Sequence, residues 1–486
     1  MTVRRAAAWS LAAQYTTFAT QFAASVIISR FFLLPADVGL FSIALAAAMV
    51  VSIFQDMGIT RFVSGQPEMR RDAVSDYAAV AVAIGWAVAA VVALSAPILA
   101  GFFGEPALAG LLVLIAASYL IAPFATVPAA LLVREMNFRA LFRVNAGSAL
   151  MGSGVAVAMA WQGFGAASLA WGVLATALAR TGIALAHRPV WPRVPQSIAA
   201  IRPMLNFSSS SFVLSASAAI GMRSQDLIVG RLLGVVSTGL FSRAGALAGQ
   251  LSSLVTGAIS SVFYPAFARK RDAGAPLGAP YLHLVACNTA LNWAAMVGLA
   301  LAAEPIVLLL YGENWAEVAP LLRWMAIGEM LFVAIPLQMD VPILLGRIRT
   351  LIWINLLDTV AAIALLALAC LWGLEAAALS RIAYGLVWWS IYANFQSRLL
   401  SFRIAALLTI YARSALCALS AGLPLLIATW LGWKGAGLGF GGLALLICTG
   451  VLTWIAAIAL TRHPAWDEIR LALATLARPL RARLAG

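Results

Sequence analysis

The stretch Arg30-Phe-Phe-Leu-Leu-Pro-Ala-Asp-Val-Gly39-Leu-Phe-Ser42 nearly recurs about 200 positions later as Arg231-Leu-Leu-Gly-Val-Val-Ser-Thr-Gly239-Leu-Phe-Ser242. Both stretches lie in very apolar surroundings, and both end in Gly-Leu-Phe-Ser. A chain that is this apolar and repeats itself at this distance is typical of a duplicated bundle of membrane helices.

Further matches between the two halves support a duplication. They follow one another at offsets of 208, 210 and 210 residues: Gly104-Glu105 with Gly312-Glu313, Asn145 with Asn355, and Gly163-x-x-Ala-Ala-x-Leu169 with Gly373-x-x-Ala-Ala-x-Leu379. Chance similarity among apolar helices would not keep the offsets in this order. The sequence therefore predicts two repeats in the same orientation, and in transporters built this way the substrate path lies at the interface between repeats.

The composition indicates whether water or lipid surrounds this chain. Of its 486 residues, 63% are hydrophobic and 10% are charged, and its mean hydropathy is +0.95. A soluble domain carries about 25% charged residues to cover its surface. The composition therefore predicts a polytopic membrane protein surrounded by the lipid bilayer.

Apolar runs of the length needed for a transmembrane helix, about 20 residues, are separated by short polar breaks. We expect an all-α fold with about 14 transmembrane helices. The expected spans are roughly 8–32, 38–58, 77–101, 107–133, 142–161, 165–186, 206–230, 236–262, 281–310, 318–345, 350–371, 374–396, 414–432 and 438–461.

The distribution of Lys and Arg predicts the orientation in the membrane, because short cytoplasmic loops are enriched in these residues. With the N-terminus placed in the cytoplasm, 24 cations fall on the inner side and three, Arg30, Arg231 and Lys434, on the outer side. We therefore expect both termini in the cytoplasm and the first apolar run to remain as helix 1. The net charge of +14 is spread over the inner loops, so topology explains it without a nucleic-acid partner.

No motif for covalent chemistry is found in the sequence. A Ser-His-Asp constellation, a Walker loop and a dinucleotide fingerprint are all missing. The four cysteines lie in apolar runs without metal-like spacing, and the three histidines are isolated. We therefore expect no enzyme, no catalytic residue, no cofactor and no metal. Energy would come from a gradient or from the substrate's own concentration difference.

Polar residues inside the apolar runs are the candidates for function. Helix 1 carries one polar face, which must contact protein or water: Ser10, Gln14, Thr17, Gln21, Ser25 and Ser29. At an offset of 201 residues, three of these positions correspond to Ser211, Ser215 and Asp226 of helix 7. These faces suggest two walls of a central cavity. The alternative is that small polar residues merely hold helices together.

Charged groups within spans are costly, about 2.5 to 3.5 kcal/mol each on insertion scales, and usually mark function. Five arginines fall in the expected spans: Arg180, Arg223, Arg243, Arg323 and Arg381. Acidic residues in or near spans are Asp56, Asp226, Glu304, Glu329, Asp340, Asp358 and Glu375. Guanidinium groups in a cavity would suit a phosphate-bearing substrate. The alternative is internal pairing, for which the sequence offers Arg223 with Asp226 and Arg323 with Glu329.

Three segments of the second half resemble the Wzx-type oligosaccharide flippases, in the polysaccharide transport branch of the multidrug/oligosaccharidyl-lipid/polysaccharide exporter superfamily. They are Gly-Arg231-Leu-Leu-Gly with Gly239-Leu-Phe-Ser-Arg243, Val262-Phe-Tyr-Pro265-Ala-Phe-Ala-Arg269, and Leu310-Tyr-Gly-Glu313-Asn-Trp315 with the residues to Arg323. The first half agrees through Arg30 to Ser42 and Arg134-Glu-Met-Asn-Phe138-Arg139. Gln55-Asp-Met-Gly-Ile-Thr is a looser version of the family's Asp-Leu-Gly segment, which puts the role of that position in doubt.

The resemblance implies two homologous six-helix bundles around a central cavity, followed by two further helices. The implied domains are 1–200 and 201–403 for the bundles, 404–463 for the two helices and 464–486 for a cytoplasmic tail. Apolar and basic residues alternate in that tail, which suggests an amphipathic helix on the anionic inner leaflet. A frayed, solvated tail is the alternative.

The function implied is that of a flippase in the bacterial inner membrane. It would move an undecaprenyl-pyrophosphate-linked oligosaccharide repeat unit to the periplasmic leaflet for exopolysaccharide or lipopolysaccharide biosynthesis. A polysaccharide polymerase and a chain-length regulator are candidate partners. Two other hypotheses stay open at the level of the sequence: a cation-coupled exporter of drugs or other lipid-linked precursors in the same superfamily, and a scaffold of polysaccharide assembly that does not itself transport.

Overall fold

A computed structural model describes residues 3–55, 59–65, 71–193, 198–432, 439–468 and 470. Throughout these residues the regular structure is helical, without a strand, which confirms the all-α fold class. The expected site positions Ser211 and Ser215 lie outside the residues whose side chains are described, and Asp56 and Lys434 lie outside the described residues altogether.

Seventeen α-helices are described. The first eight are α1 (Val3–Phe31), α2 (Pro35–Ser52), α3 (Ile59–Gly65), α4 (Arg71–Phe103), α5 (Ala107–Ile121), α6 (Pro123–Arg134), α7 (Phe138–Trp161) and α8 (Ala167–His187). The others are α9 (Ile198–Asp272), α10 (Gly278–Leu301), α11 (Ala303–Tyr311), α12 (Val318–Phe332), α13 (Asp340–Leu344), α14 (Ile348–Cys370), α15 (Leu374–Leu400), α16 (Ile404–Trp430) and α17 (Gly439–Leu460). A 3-10 turn at Glu313–Trp315 links α11 to α12.

Each expected span overlaps one of these helices or a consecutive pair of them. Within the described residues, nine helices are long and apolar enough to cross a membrane, and the bent pair α5–α6 makes a tenth. The protein is therefore a multi-span membrane protein, while the count of 14 spans stays a prediction. The two spans expected at 206–230 and 236–262 both fall in α9, whose two helical parts meet at a kink at Gly234, where φ is 86° and ψ is 176°.

Repeated glycines occupy equivalent turns of the two repeats. Gly104 and Gly312 have φ values of 73° and 86°, and Gly163 and Gly373 have φ values of 84° and 104°. A side chain with a Cβ is strained in this left-handed region, so glycine is the favoured residue there. The match found in the sequence therefore corresponds to a match in backbone conformation.

The chain divides into two compact units, residues 1–242 and 243–486. In the first, α1 packs on α7, α7 on α8, and α2, α4 and α5 share an apolar core. In the second, α10 packs on α12 and α16, α12 on α15, and α16 on α17. The division falls inside α9, not at the repeat boundary near residue 200, so the expected domain assignment remains a prediction.

The fourth expected span of each repeat, 107–133 and 318–345, is broken and not one continuous helix. In the first repeat, α5 and α6 meet at an angle of 46° at Pro123, which has no backbone N–H to donate. In the second, residues 333–339 between α12 and α13 are non-helical, and Leu337 has a φ of 54°.

In both repeats, a tryptophan of the preceding span donates a hydrogen bond to a backbone carbonyl of the broken span. Trp86 Nε1 donates to the carbonyl oxygen of Leu120 over 3.1 Å, and Trp293 Nε1 donates to that of Met330 over 2.8 Å. A break in a membrane helix leaves backbone carbonyls that lipid cannot satisfy. The two repeats thus use equivalent side chains to satisfy equivalent carbonyls.

Candidate functional site

The two Gly-Leu-Phe-Ser segments lie against each other inside the first compact unit. A methyl group at Gly39 would overlap the carbonyl oxygen of Val235, and a methyl group at Gly239 would overlap the carbonyl oxygen of Pro35. The two contacts are equivalent, because Gly239 and Val235 lie 200 positions after Gly39 and Pro35. Only glycine at both positions permits α2 and α9 to cross with their backbones in contact, as small residues do in membrane helix pairs.

Next to this crossing, Ser42 Oγ donates to Ser242 Oγ over 3.1 Å. Asp37 fixes the entry to the first segment, because one of its carboxylate oxygens accepts the backbone N–H of Leu34 over 3.1 Å. The sequence predicted one copy of this segment in each repeat. That the two copies touch was not predicted, although both carry a glycine and a serine in the same register.

The polar face of α1 is only partly covered by the fold. The side chains of Gln14 and Gln21 are exposed, whereas Ser29 is buried. The apolar side of α1 packs on α7, where Trp9 meets Phe142 edge to face at 5.3 Å. The two glutamines therefore remain available to a polar ligand.

Arg223 and Asp226 belong to one polar group in the first compact unit. They lie on α9 and attract each other electrostatically, without an ion pair of 4.0 Å or less between these described side chains. Arg223 also lies within electrostatic reach of Tyr119, whose hydroxyl is hydrogen-bonded to Ser52. Arg223 is thus a partly buried cation close to a carboxylate and a phenol.

Arg180 and Arg323 are exposed on the surfaces of their units. Arg180 lies in the second half of α8, and Arg323 lies in the first half of α12. The neighbouring Trp324 donates its indole N–H to Glu375 over 3.0 Å. The sequence alternative that paired Arg323 with Glu329 does not match the structure, because Glu329 has a different partner.

That partner is Arg381. Its Nη2 lies 3.1 Å from Glu329 Oε2, and its guanidinium carbon lies 5.1 Å above the ring of Phe332. The ion pair joins α12 to α15 and is only partly exposed, with side-chain exposures of 20% and 14%.

Arg243 is enclosed by aromatic rings. Its guanidinium carbon lies 5.3 Å from the ring centres of both Tyr311 and Trp315, and it is hydrogen-bonded to Tyr311. Both rings are buried. Such cation–π contacts between desolvated groups are worth about 2 kcal/mol, so Arg243 joins the α9 segment of the second unit to the turn after α11.

A second polar group lies in the membrane part of this unit, and the sequence indicated only some of its members. Asp358 is hydrogen-bonded to Tyr384, and Asn355 Nδ2 lies 3.5 Å from the hydroxyl of Tyr392. Asp358 and Asn355 are both buried. Asn355 was noticeable because it matches Asn145, whereas nothing in the sequence links the tyrosines of α15 to α14.

Side chains also satisfy the carbonyls of the broken segment 333–339. Asn288 donates to Val333 over 2.6 Å, Tyr411 to Ala334 over 2.9 Å and Tyr281 to Pro336 over 3.0 Å. Gln396 is close to Gln338, at 3.4 Å. The donors come from α10, α15 and α16, and sequence analysis missed all of them because no local pattern reveals an unsatisfied carbonyl.

In the part of the chain that the structure describes, no three His, Cys, Asp or Glu side chains are arranged to hold a metal ion. Cys287, Cys370 and Cys417 are free and buried, and Cys448 is free and exposed.

Comparison with known proteins gives consistent matches. A family model described as polysaccharide biosynthesis protein matches residues 27–320. The succinoglycan biosynthesis transport protein ExoT of Rhizobium meliloti is 27% identical over 362 residues, covering 74% of this chain and 73% of that protein. The lipopolysaccharide biosynthesis protein WzxC of Escherichia coli is 23% identical over 295 residues, covering 60% of each. The resemblance to oligosaccharide flippases that the motifs indicated is thereby confirmed.

Solved structures show the same fold. The lipid II flippase MurJ superposes with a TM-score of 0.74 at 12% identity, covering 93% of this chain and 98% of that one. A multidrug resistance MATE family transporter superposes with a TM-score of 0.59 at 15% identity, covering 81% of this chain and 96% of that one. At these identities the matches show the fold alone.

Proposed function

Since the chain belongs to the polysaccharide biosynthesis protein family, we propose that it translocates an undecaprenyl-pyrophosphate-linked oligosaccharide repeat unit across the bacterial inner membrane. The family match over residues 27–320 is the observation that carries the proposal. Transport proteins among the relatives support it, notably ExoT at 27% identity. The proposed step is movement from the cytoplasmic to the periplasmic leaflet, with no covalent reaction.

The physical task is to shield a sugar and a pyrophosphate from hydrocarbon while the polyprenyl chain stays in lipid. We propose that Gln14 and Gln21 hydrogen-bond the sugar, because both are exposed on a polar face of a membrane helix. Arg223 is the leading candidate for the pyrophosphate, since it is a partly buried cation within an apolar helix. Guanidinium groups match phosphate oxygens with two parallel hydrogen bonds.

The other candidate residues would act in different ways. Arg381 would add a second cation whose position is fixed by Glu329, and Arg180 and Arg323 are exposed cations that could meet the substrate on its way. Asp226 would orient Arg223. Arg243 would act by holding the fold, because Tyr311 and Trp315 enclose it.

Release on the far side would require the α2–α9 crossing to open. Alternating access is the general mechanism of transporters built from repeats, and the crossing at Gly39 and Gly239 joins equivalent positions of the two repeats. We place both termini in the cytoplasm and this crossing on the periplasmic side, in agreement with the distribution of Lys and Arg. A polymerase and a chain-length regulator would receive the product.

A deletion strain tests the proposal. Undecaprenyl-linked repeat units should accumulate on the cytoplasmic face, and surface polysaccharide should be lost. A plasmid copy should restore both, whereas a copy with Arg223→Ala at matched expression should restore them poorly. If the units still reach the outer leaflet without the protein, the proposal fails and a role as an assembly scaffold takes its place.

The second candidate is export of drugs by cation coupling, and the likeness in fold to a MATE family transporter favours it. It predicts that deletion raises sensitivity to cationic drugs and leaves surface polysaccharide intact. Genes for glycosyltransferases and a polymerase beside this gene would favour the first proposal. The two candidates therefore differ in phenotypes that one deletion strain can report.

A further inference from the structure

His463 lies just beyond the last membrane helix, in the second compact unit, and is almost completely buried. Its side chain is 1% exposed. The residue before it, Arg462, has a φ of 47°, a left-handed conformation that is strained for a residue with a Cβ. This conformation turns the chain at the end of α17, and strained backbone persists only where the surrounding structure imposes it.

The hydrogen bonds of His463 define its protonation state. The backbone N–H of Ala465 donates to His463 Nδ1 over 3.2 Å, so Nδ1 must keep its lone pair. The proton of the neutral ring is then on Nε2, which lies 3.2 Å from Ser414 Oγ and donates to it. The imidazole therefore uses one nitrogen as acceptor and one as donor, a pattern available only to the neutral ring.

From Ser414 the hydrogen bonds continue into the bundle. Ser414 Oγ lies 2.9 Å from Thr289 Oγ1, and Thr289 Oγ1 donates to the carbonyl oxygen of Val285 over 2.8 Å. Because Ser414 accepts from His463, its own proton is free to reach Thr289. A single chain of donors thus runs from the end of α17 through α16 to α10, and both hydroxyl groups in it are fully buried.

The segment after His463 folds back on the bundle. Ala465 is buried in a cluster with Cys287, Cys417 and Ile458, and Trp466 packs against the same cluster. Glu468 Oε1 lies 3.2 Å from His283 Nε2 on α10. Residues 464–468 are therefore docked by the apolar cluster, the exposed contact between Glu468 and His283, and the buried imidazole.

We infer that His463 is a protonation-sensitive latch that docks residues 464–468 on α10 while the imidazole is neutral and releases them when it is charged. Protonation would place a second N–H against the N–H of Ala465 and would charge a site that water does not reach. The charged or titratable groups facing the imidazole are Arg413 on α16 and His283 on α10, and neither favours a positive charge there. Glu468 faces His283 and not His463.

The sign of the pH dependence follows from these surroundings. Burial, Arg413 and His283 lower the pKa of His463 from its ordinary value. The undocked segment binds the proton more readily, so docking is fully stable above about pH 6.5, the ordinary histidine pKa, and weakens as the pH falls below it.

Hydrogen exchange of the full-length protein in lipid nanodiscs tests the latch. After correction for intrinsic exchange rates, exchange of a peptide covering residues 461–470 should increase between pH 7.5 and pH 5.0, by up to about tenfold for each pH unit below the midpoint. His463→Asn should remove this dependence, because its amide oxygen can accept the Ala465 N–H but does not titrate. An unchanged wild-type peptide over this range would overturn the inference.

His283→Asn is the matched control, since it removes the other histidine of the region. It should keep the acid-induced increase, because His463 is unchanged. If the increase disappears with His283→Asn and persists with His463→Asn, then the exposed ion pair is responsible and the latch is refuted. Should His463→Asn not fold, Ser414→Ala gives a second reading: faster exchange of residues 461–470 already at pH 7.5 supports the latch, and unchanged exchange contradicts it.

Discussion

Ser42 Oγ donates a hydrogen bond to Ser242 Oγ over 3.1 Å, so two residues separated by 200 positions meet at the same place in the two repeats. The glycines three positions earlier, Gly39 and Gly239, allow this approach because each lies against a backbone carbonyl of the other segment. The two copies of the duplicated motif therefore contact each other.

Replacing Gly39 by Ala should destabilise the protein. The added methyl group would overlap the carbonyl oxygen of Val235, and overpacking of this kind costs about 1 to 3 kcal/mol. Thermal unfolding in detergent, followed by size-exclusion chromatography with fluorescence detection, measures the change. Gly249→Ala is the control, because nothing lies within 4 Å of a Cβ there and alanine favours a helix by up to about 1 kcal/mol. Equal loss in both variants would contradict the close crossing.

A disulfide between positions 42 and 242 should form readily and stop transport. The two hydroxyl oxygens are already 3.1 Å apart, and the proposed cycle requires this crossing to open. The double variant Ser42→Cys, Ser242→Cys should be made with the exposed Cys448 replaced by Ser. Oxidation should reduce repeat-unit translocation, and a reductant should restore it. Full activity of the cross-linked protein would show that the crossing does not open.

Replacing Arg223 by Ala should reduce transport by about 10- to 100-fold, since a hydrogen bond to a charged group contributes about 1.5 to 3 kcal/mol. Complementation of a deletion strain, scored as surface polysaccharide at matched protein levels, gives the measurement. Arg349→Ala is the control, because Arg349 is exposed near the start of α14 and we attribute its charge to membrane orientation. Equal impairment by the two substitutions would mean that Arg223 is a topology charge as well.

Replacing Trp293 by Phe should cost about 1 to 3 kcal/mol, because the carbonyl of Met330 would lose its donor inside the membrane. Trp86→Phe should have an effect of the same sign, since it frees the carbonyl of Leu120 in the other repeat. Thermal unfolding of the purified variants measures both. Trp430→Phe, at a side chain that is 86% exposed, should change stability by less than about 0.5 kcal/mol. A similar loss in all three would argue against the carbonyl contacts.

The sequence contained enough information for the fold class and for much of the architecture. Apolar runs of membrane length predicted the helices, and the ordered offsets predicted the repeats. Gly104 and Gly312, which the offsets match, both have a positive φ. The breaks in the two fourth spans were not predicted, because an apolar run looks the same whether or not its backbone is continuous. Hydropathy reports on side chains alone. A break in a helix depends on whether donors from other helices can bind its free backbone carbonyls.

Site residues were harder to predict, for a physical reason. An arginine in an apolar run is equally compatible with a ligand, an ion pair or an aromatic enclosure, and the choice depends on residues far away in the chain. Arg381 pairs with Glu329 across two helices, whereas the sequence offered Glu329 a nearer partner in Arg323. Arg243 is enclosed by Tyr311 and Trp315, which no spacing rule connects to it.

The broken segment 333–339 also has a consequence for the order in which the protein is made. Tyr281 and Asn288 are synthesised before it and are ready to bind the carbonyls of Pro336 and Val333. Tyr411, which binds the carbonyl of Ala334, is synthesised afterwards, at the start of the last helix pair. Until that helix enters the membrane, the segment lacks one of its donors. Helix α16 would thus complete the insertion of a span made much earlier, because lipid offers no donor for the carbonyl of Ala334.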